Sequence, residues 1–478
     1  MSFETLFPFK SRSVGDFLNT CLNDIPPDTA SKIRSKHPSE RLSDRDKQVL
    51  IIEALVSIAE RCNWQLIHYD GGYRVYTGSH YSLIESNLLN NFLCDVARRM
   101  GFDEETIRHY TFREGLVKQF HASGFKVLNQ LEHEVVKINL LNGTLHITGD
   151  GYKLLPHNPK DYLLYTLNVM YDPEATCPLY DAYRARVLPD SCKQEVLDEF
   201  VGYSFCPNGK LKLEKCLVLF GSGANGKSVF FDVIIGLLGS TNVSNYSLQS
   251  LTDKSGYYRA SIAGKRLNYV SELSSRMDTS IFKMMVSGEP VEARHAYGRP
   301  FMVQDLPKFI FNTNELPSSI EHNDGFFRRF MIVHFDQTIP ESERDYSLAS
   351  KIIAEELPGV LNLVLKGLDR ILANRGFSHC DYLNNTLNEF RRQHDPVRMF
   401  LDDIKAIPKP ITVSSVALKK LFLDYTDYGR QFGYKTISLH EFSKRIREIG
   451  YDVTRRSEGR YVGMYIPGTH IVQDSLFN

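Results

Sequence analysis

The sequence lacks several features, and each absence excludes a class of protein. Its eight cysteines include no Cys-x-x-Cys pair. Neither a zinc ribbon nor a disulfide framework is therefore indicated, and we expect buried, reduced thiols. No run approaches the roughly 18 consecutive apolar residues of a membrane span, and the first residues lack the basic and apolar segments of a signal peptide. We therefore expect a cytoplasmic protein with no membrane partner.

The balanced charge excludes a nucleic-acid partner that is bound through an overall positive charge of the protein. Lysine and arginine together number 57, aspartate and glutamate also number 57, and the formal net charge is zero. A nucleic-acid partner would therefore have to be held by local basic patches. Of the 478 residues, 42% are hydrophobic and 12% are aromatic, which excludes global disorder and is enough for about three folded domains.

One segment predicts a nucleotide site. An apolar strand at 217–220 precedes Gly-Ser-Gly-Ala-Asn-Gly-Lys-Ser at 221–228, the spacing of a phosphate-binding loop, and a helical run follows. The glycines let backbone N–H groups surround a phosphate, the lysine neutralises phosphate charge, and the hydroxyl is an oxygen ligand for Mg²⁺. An ordinary glycine turn is the alternative. The predicted cofactors are ATP and Mg²⁺, and the predicted binding residues are Gly221, Gly223, Ala224, Asn225, Gly226, Lys227, Ser228 and Val229.

Two strand ends downstream carry polar residues that nucleotide hydrolysis needs. One short strand ends in Ser271-Glu272, and a later strand runs into Asn314. Glu272 is the candidate general base and, with Ser228, a candidate metal ligand. Asn314 is a candidate to hydrogen-bond both the attacking water and the γ-phosphate. A surface glutamate and a turn-forming asparagine are the alternatives.

A pair of arginines is placed where it could reach a neighbouring subunit. Arg328 and Arg329 lie at the start of the predicted strand 331–335. An arginine at the domain edge can neutralise transition-state charge on the γ-phosphate of an adjoining subunit, which is the arginine-finger role and requires an oligomer. We favour Arg329 over Arg328. The alternative is that both pair with carboxylates of their own chain.

These segments, in this order, resemble the superfamily 3 helicases of the phage and plasmid primase-associated branch, which is related to poxvirus-type and mobile-element replicative helicases. The resemblance rests on the phosphate-binding loop, Ser271-Glu272, Lys283 with 287–291, 313–317, and Arg328-Arg329. It extends upstream to 141–145 and 171–178 and downstream to 357–372, so that it covers about residues 130–470. The resemblance implies a ring-forming, usually hexameric, ATP-driven motor on DNA.

Two departures from the family pattern bear on activity. Ser271 stands where the family often has the first of two adjacent acidic residues, so Mg²⁺ would be held by Ser228 and waters, while hydrolysis should survive on Glu272. The primase domain that is fused to many relatives needs paired aspartates on a buried strand. The Asp-x-Asp of this chain, Asp44-Arg45-Asp46, begins a charged helix instead. Primase activity is therefore not predicted.

Two regions predict contacts with DNA. Residues 288–300 have the pattern of a β-hairpin, and the resemblance implies that this hairpin projects into the central channel of the ring. A hairpin that packs on its own domain is the alternative. Near the C terminus, the window 435–465 carries seven basic against four acidic residues on a helix and strand pair. The candidate DNA-binding residues are Lys283, Arg294, His295, Tyr297 and Arg299 in and near the hairpin, and Lys444, Arg447, Arg455, Arg456 and Arg460 near the C terminus.

The predicted fold is an α/β P-loop NTPase, an AAA+-like superfamily 3 motor whose parallel sheet has flanking helices. It is joined to a mixed α+β N-terminal domain and a C-terminal winged-helix domain, for which a protein-interaction role is the alternative to DNA binding. The N-terminal domain could bind DNA or a partner. The predicted divisions are 1–165 for the N-terminal domain, 166–205 for a helical collar, 206–345 for the motor, 346–395 for a helical lid and 396–478 for the winged helix.

The leading hypothesis for function is an ATP-dependent DNA helicase or translocase of a phage, plasmid or other mobile element. It would act as a ring, expected to be a hexamer, on single-stranded or forked DNA. The alternative is an ATP-dependent origin-binding or loader protein without strand-separating activity. A small-molecule P-loop kinase is disfavoured because such a kinase needs neither a trans arginine nor a basic hairpin. A separate primase or another replication protein is a candidate partner.

Overall fold

The computed structural model describes residues 12–36, 42–128, 135–148, 151–271, 273, 277–295, 300–314, 324–393, 395–432 and 436–467. Within these ranges, no helix combines the length and the apolar character that a membrane crossing requires.

The first part of the chain is a helical layer against a small antiparallel sheet. Its core includes Val75, Leu93 and Leu116, all of which are fully buried. Ser13 and Ser43 begin α1 and α3 as reciprocal capping boxes. The elements are α1 (Val14–Asn23), α2 (Thr29–Lys36), α3 (Asp44–Arg61), β1 (Leu66–Tyr69), β2 (Gly72–Tyr76), β3 (Tyr81–Leu83), α4 (Ser86–Arg99), α5 (Glu104–Arg108) and α6 (Tyr110–Ala122).

The next segment is an antiparallel meander followed by two helices. Apolar residues of this meander, such as Ile138 and Leu145, pack in the same core as the helices and the large sheet that follow, and not with the N-terminal helices. The predicted boundary at residue 165 is therefore crossed by hydrophobic contacts, and it stays a prediction. The elements are β4 (Val136–Leu140), β5 (Gly143–Thr148), β6 (Gly151–Leu155), α7 (Pro178–Val187) and α8 (Ser191–Tyr203).

The central segment alternates strands and helices, as the sequence predicts. Its strands are short and almost entirely apolar, which is typical of strands buried on both faces of a sheet. The elements are β7 (Cys216–Phe220), α9 (Lys227–Leu238), β8 (Val243–Ser244), α10 (Leu248–Leu251), α11 (Tyr257–Ala260), β9 (Leu267–Val270), α12 (Thr279–Val286), β10 (Val291–Ala293), β11 (Phe301–Val303), β12 (Lys308–Thr313), α13 (Asp324–Phe327) and β13 (Phe330–His334).

Three helices follow the last strand: α14 (Leu348–Glu355), α15 (Leu357–Asn374) and α16 (Asp381–Gln393). Pro358 lies in the first turn of α15, where its missing N–H removes no helical hydrogen bond. Helix α15 packs backbone to backbone on α8, because a Cβ at Gly202 would lie 2.9 Å from the Leu368 nitrogen and one at Gly367 would lie 2.5 Å from the Asp198 carbonyl carbon. At these two glycines, the predicted collar and lid therefore meet without an intervening side chain.

The C-terminal segment has its own core, which includes Leu421, Phe442 and Val462. The order helix, helix, hairpin matches the pattern predicted from the sequence, and the assignment as a winged helix stays a prediction. The strands β14 and β15 both pair with β17, as does β16. The elements are α17 (Pro396–Asp403), β14 (Ile407–Pro408), β15 (Ser415–Ala417), α18 (Leu418–Phe432), α19 (Leu439–Ile449), β16 (Val453–Arg456) and β17 (Gly459–Tyr465).

The large sheet has five parallel strands in the order β13-β7-β12-β9-β8. Alternate residues of β7 face opposite sides: Leu217 and Leu219 pack with α8, α9 and α15, whereas Cys216 and Val218 pack with α10 and α12. The sheet is therefore a middle layer between two layers of helices, an α/β architecture. Strands that follow β7 lie on both of its sides, and ligands of such sheets bind beyond the carboxyl end of the strand where the order switches.

The cysteines correct one expectation. Cys192 of α8 and Cys380, just before α16, form a disulfide with their Cα atoms 5.8 Å apart. The prediction of reduced thiols is wrong for this pair because the packing of α15 on α8 brings together two residues that are 188 positions apart in the sequence. The other six are free, and all of those except Cys62 are buried.

Candidate functional site

The loop between β7 and α9 lies at the switch point of the sheet. Gly226 caps α9 with φ 88°, a left-handed conformation that favours glycine. A Cβ at this position would lie 2.7 Å from Val187 of α7, so the loop also packs too closely for a larger residue. A Cβ at Gly223 would meet no atom within 4 Å. The glycines therefore serve two different needs, tight packing at Gly226 and an open surface at Gly223.

The lysine of this loop is buried and fully hydrogen-bonded. Lys227 Nζ donates to the carbonyl oxygens of Gly221 at 2.6 Å and Ser222 at 3.1 Å, and to Asn225 Oδ1 at 3.0 Å. Burial lowers the pKa of Lys227. The Lys227 ammonium is therefore bound by acceptors of the loop itself, and it can exchange them for an anionic ligand that enters the loop.

Neighbouring elements fix the shape of the loop. The Tyr183 hydroxyl of α7 donates to the Gly226 carbonyl oxygen at 2.9 Å, and Asn225 Nδ2 donates to the Phe335 carbonyl oxygen at 3.1 Å. The Ile339 N–H donates to the Ala224 carbonyl oxygen at 2.8 Å. The loop is thus bound on one side to α7 and on the other to the segment that follows β13.

The first turn of α9 presents the remaining predicted binding residues. Ser228 is exposed there, and Val229 is half-buried and donates its N–H to the Gly226 carbonyl oxygen at 3.0 Å. Free N–H groups and the helix dipole favour an anion at the start of a helix of this length, and an exposed hydroxyl beside it is a suitable Mg²⁺ ligand. The residue types and their exposure therefore fit a magnesium-bound nucleotide.

The predicted hydrolytic residues follow strands that end at this same edge. Thr313 of β12 pairs with Phe220, and its carbonyl oxygen accepts a hydrogen bond from Gly221 at 3.3 Å. Asn314, the next residue, is exposed beside the phosphate-binding loop. Ser271 is exposed after β9, whereas Glu272 lies outside the described residues. The parallel sheet thus brings Asn314 to the loop, and the roles of Asn314 and Glu272 stay predictions.

A buried lysine near the loop was not predicted from the sequence. Lys193 of α8 donates to Asp336 Oδ2 at 3.1 Å and to the His334 carbonyl oxygen at 3.3 Å, and it lies 3.6 Å from the centre of the Tyr382 ring. His334 ends β13 beside Phe220, and burial lowers its pKa. These residues connect α8 and α16 to the strand next to the loop. No sequence spacing links them, because they come from three distant segments.

The two arginines before β13 have opposite environments. Arg328 has 60% of its side chain exposed and pairs with Glu214 at 2.8 Å. Arg329 is buried, donates to Ser287 Oγ at 2.9 Å, and also donates to the Gly325 carbonyl oxygen. Arg329 also pairs with Glu214, at 3.5 Å, so both arginines contact a carboxylate of their own chain, as in the alternative that the sequence leaves open. Arg329, which the sequence favours for a contact in trans, is thus the buried arginine of the two, and the role of either arginine in trans stays a prediction.

The strands β10 and β11 form the predicted antiparallel hairpin. Arg294 is half-buried, with its guanidinium 4.9 Å from the centre of the Tyr257 ring and its Nε donating to the Ser255 carbonyl oxygen at 3.2 Å. His295 is exposed and stacks on Phe301, with ring centres 5.3 Å apart. Lys283 is half-buried on α12. Tyr297 and Arg299 lie outside the described residues.

The C-terminal candidates are all exposed, and they lie on α19 and the β16–β17 hairpin: Lys444, Arg447, Arg455, Arg456 and Arg460. Arg455 and Arg460 are cross-strand partners, and two like charges directly opposite each other are unfavourable without an anion. Arg445, between two of the candidates, pairs instead with the buried Asp395 at 2.8 Å. Its role is structural, whereas the others face solvent.

Comparisons with known proteins divide the chain into two matched parts. Residues 58–189 match the family model described as D5 N terminal like, and residues 219–329 match a family of unknown function, DUF5906. The chain is 23% identical over 332 residues to a protein of Acanthamoeba polyphaga mimivirus that is named a putative helicase. This match covers 62% of the chain and 33% of the viral protein, so the chain spans about a third of that relative.

Among solved structures, the chain is similar to the apo C-terminal region of NrS-1. One such structure has a TM-score of 0.49 and 12% identity, and covers 88% of this chain and 100% of that one. A second has a TM-score of 0.43 and 12% identity, and covers 89% and 100% of the two chains.

Proposed function

We propose that this chain is an ATP-dependent DNA helicase or translocase of a mobile genetic element, of the superfamily 3 type, that works as a ring, most simply a hexamer. The observation that carries the proposal is the phosphate-binding loop at the switch point of a five-stranded parallel sheet. The loop has the left-handed glycine that caps α9, a lysine that is hydrogen-bonded to the loop, and an exposed serine at the start of α9. The mimivirus relative that is named a helicase supports the same class.

In this proposal the residues of the loop bind ATP and Mg²⁺. The N–H groups from Gly223 to Ser228 surround the phosphates, Lys227 leaves its carbonyl acceptors to neutralise the β- and γ-phosphates, and Ser228 Oγ is a ligand of the metal. Bound Mg²⁺ supplies charge neutralisation for phosphoryl transfer. Asn314 orients the attacking water from the adjacent strand end, and Glu272 accepts its proton.

The catalytic site is completed by a neighbouring subunit. Arg328 is the exposed arginine at the edge strand of the sheet, and its partner Glu214 holds it at the surface. A guanidinium from the next subunit stabilises the charge that develops on the γ-phosphate. Arg329 then has a different task, to hold the segment before β13 against Ser287 of the α12 end.

DNA is bound by the hairpin and by the C-terminal segment. Arg294 and His295 offer phosphate charge and an aromatic ring to single-stranded DNA, together with Lys283, Tyr297 and Arg299. The five exposed basic residues of α19 and the β16–β17 hairpin add contacts to the backbone, in the manner of a winged helix.

The test compares the ATPase and strand-separation activities of wild type and Lys227→Ala. Lys118→Ala is the matched control, because the Lys118 side chain is 77% exposed and pairs with Glu114 on the surface of its own helix. We expect Lys227→Ala to abolish DNA-stimulated ATPase and strand separation, and Lys118→Ala to behave as wild type. Equal activity of wild type and Lys227→Ala would refute the proposal.

The second candidate function is an ATP-dependent origin-binding or loader protein. It is favoured by the exposed basic surface of the C-terminal segment, which would be sufficient to select duplex DNA. DNA binding that persists without strand separation under all conditions would support it. A persistent monomer in the presence of ATP would point instead to a small-molecule kinase.

A further inference from the structure

The turn between β1 and β2 lies directly on the hairpin that is proposed to bind DNA. A Cβ at Gly71 would lie 2.8 Å from three carbon atoms of the Phe301 ring, in strand β11. The glycine has φ 74°, a conformation that L side chains rarely adopt. The face of the turn and the aromatic ring are therefore in contact with no room for another atom.

The residue before this glycine makes a second contact with the same strand region. Asp70, with φ 47°, accepts a hydrogen bond at Oδ1 from the N–H of Gln304 at 3.3 Å. Asp70 and Gly71 are both left-handed, as in the tight two-residue turns of β-hairpins. The turn thus binds β11 through one ring contact and one hydrogen bond just beyond the strand.

Buried charges of the two regions lie close to one another, since the charge of Asp305 contributes to raising the pKa of Asp70. Arg74 of β2 and Arg266, just before β9, are each 6% exposed. Arg266 forms an ion pair with Asp305, which follows β11, and its guanidinium lies 4.7 Å from the centre of the Tyr165 ring. Arg266 and Asp305 both belong to the central segment, so their ion pair fixes the end of the strand that the turn contacts.

Phe301 connects this contact to the proposed DNA surface. The same ring also stacks on His295, with 5.3 Å between the ring centres. A movement of the turn is therefore transmitted through one ring to an exposed residue of the hairpin.

We propose that Asp70 and Gly71 are positioning residues that set the placement of the β10–β11 hairpin, so that the N-terminal region controls the grip on single-stranded DNA. The part of this inference that concerns DNA rests on the function proposed above. A partner that binds the N-terminal region and moves the β1–β2 turn would thereby change DNA affinity without touching the nucleotide site.

The experiment uses two glycines in the full-length protein. Gly71→Ala and Gly124→Ala impose the same left-handed strain, since Gly124 has φ 65°, but a Cβ at Gly124 meets no atom within 4 Å. We expect Gly71→Ala, and not Gly124→Ala, to raise hydrogen exchange of the β10 and β11 amides. Its affinity for single-stranded DNA should fall by about fivefold or more, the loss expected for one stacking contact, while ATPase without DNA is unchanged.

A double-substitution cycle separates positioning from loss of fold. In a Phe301→Ala background, Gly71→Ala should have no further effect on hairpin exchange, because the atoms that it would push against are gone. The inference is overturned if Gly71→Ala and Gly124→Ala alter hairpin exchange equally, or if the effects of Gly71→Ala and Phe301→Ala simply add. Hydrogen exchange decides the positioning role even if wild type neither binds DNA nor hydrolyses ATP, in which case the proposed function alone fails.

Discussion

Replacing each of the two adjacent arginines by alanine should give opposite results. Arg328 is exposed and makes one surface ion pair, with Glu214. Such pairs contribute about 0–1 kcal/mol, so Arg328→Ala should leave the thermal midpoint almost unchanged. If Arg328 acts in trans, its loss should lower ATPase by about 10³-fold or more.

Arg329→Ala should behave as a stability mutation. It leaves Ser287 Oγ and the Gly325 carbonyl oxygen without their donor, and Ser287 is 4% exposed. A buried polar group that loses its partner costs about 1–3 kcal/mol, so the two together cost about 2–6 kcal/mol. At about 2–4 °C per kcal/mol for a unit of this size, the midpoint should fall by about 4–24 °C.

The assay combines thermal melting, ATPase and subunit mixing. Arg430→Ala is the control, because Arg430 is an exposed arginine in a comparable surface pair with Asp427. Arg328→Ala keeps an intact nucleotide loop and Lys227→Ala keeps an intact Arg328. In a mixed ring, a Lys227→Ala subunit can supply its Arg328 to the intact nucleotide loop of a neighbouring Arg328→Ala subunit. Mixing the two inactive proteins should therefore restore ATPase activity at the sites between such neighbours. A mixture that stays inactive, or an Arg329→Ala protein that melts like Arg328→Ala, would refute the reasoning.

Three other measurements test separate features. Burial, followed by the charge of Asp305, raises the pKa of Asp70 to about 6. Between about pH 4 and pH 6 the folded protein keeps a proton that the unfolded chain has released, so the free energy of unfolding falls as the pH rises through about 6. Asp70→Asn should therefore raise the melting point more near pH 7.5 than near pH 5, and equal gains would contradict this. Arg455→Ala and Arg460→Ala should each reduce the salt dependence of DNA affinity by about one unit of log–log slope, whereas unchanged slopes would remove these residues from the interface. Unfolded, unreduced protein should show the six free thiols, against eight after reduction; eight before reduction would exclude the disulfide between Cys192 and Cys380.

The nucleotide loop could be predicted from the sequence because all its parts are local. An apolar strand, a glycine-rich turn and a helix follow one another within 217–238, and both the conformation of Gly226 and the start of α9 at Lys227 follow from that order. The position of Asn314 beside the loop was also predictable in outline, since parallel strands present their carboxyl ends at one edge.

The environment of a single side chain was not predictable in this way. Arg328 and Arg329 are indistinguishable as neighbours in sequence, and only the fold places one at the surface and the other against Ser287. Lys193 and Asp336 pair across 143 positions, and Gly71 meets Phe301 across 230. Such contacts depend on how separate segments pack.

The sequence by itself determined which segments form strands and helices around the loop, because backbone propensity and hydrophobic period are properties of neighbours along the chain. The tertiary structure alone decided which of the two arginines is exposed, which cysteines are joined and what the N-terminal turn contacts. The physical reason is that burial, pairing and contact are set by residues brought together from distant parts of the chain, and no local pattern records them.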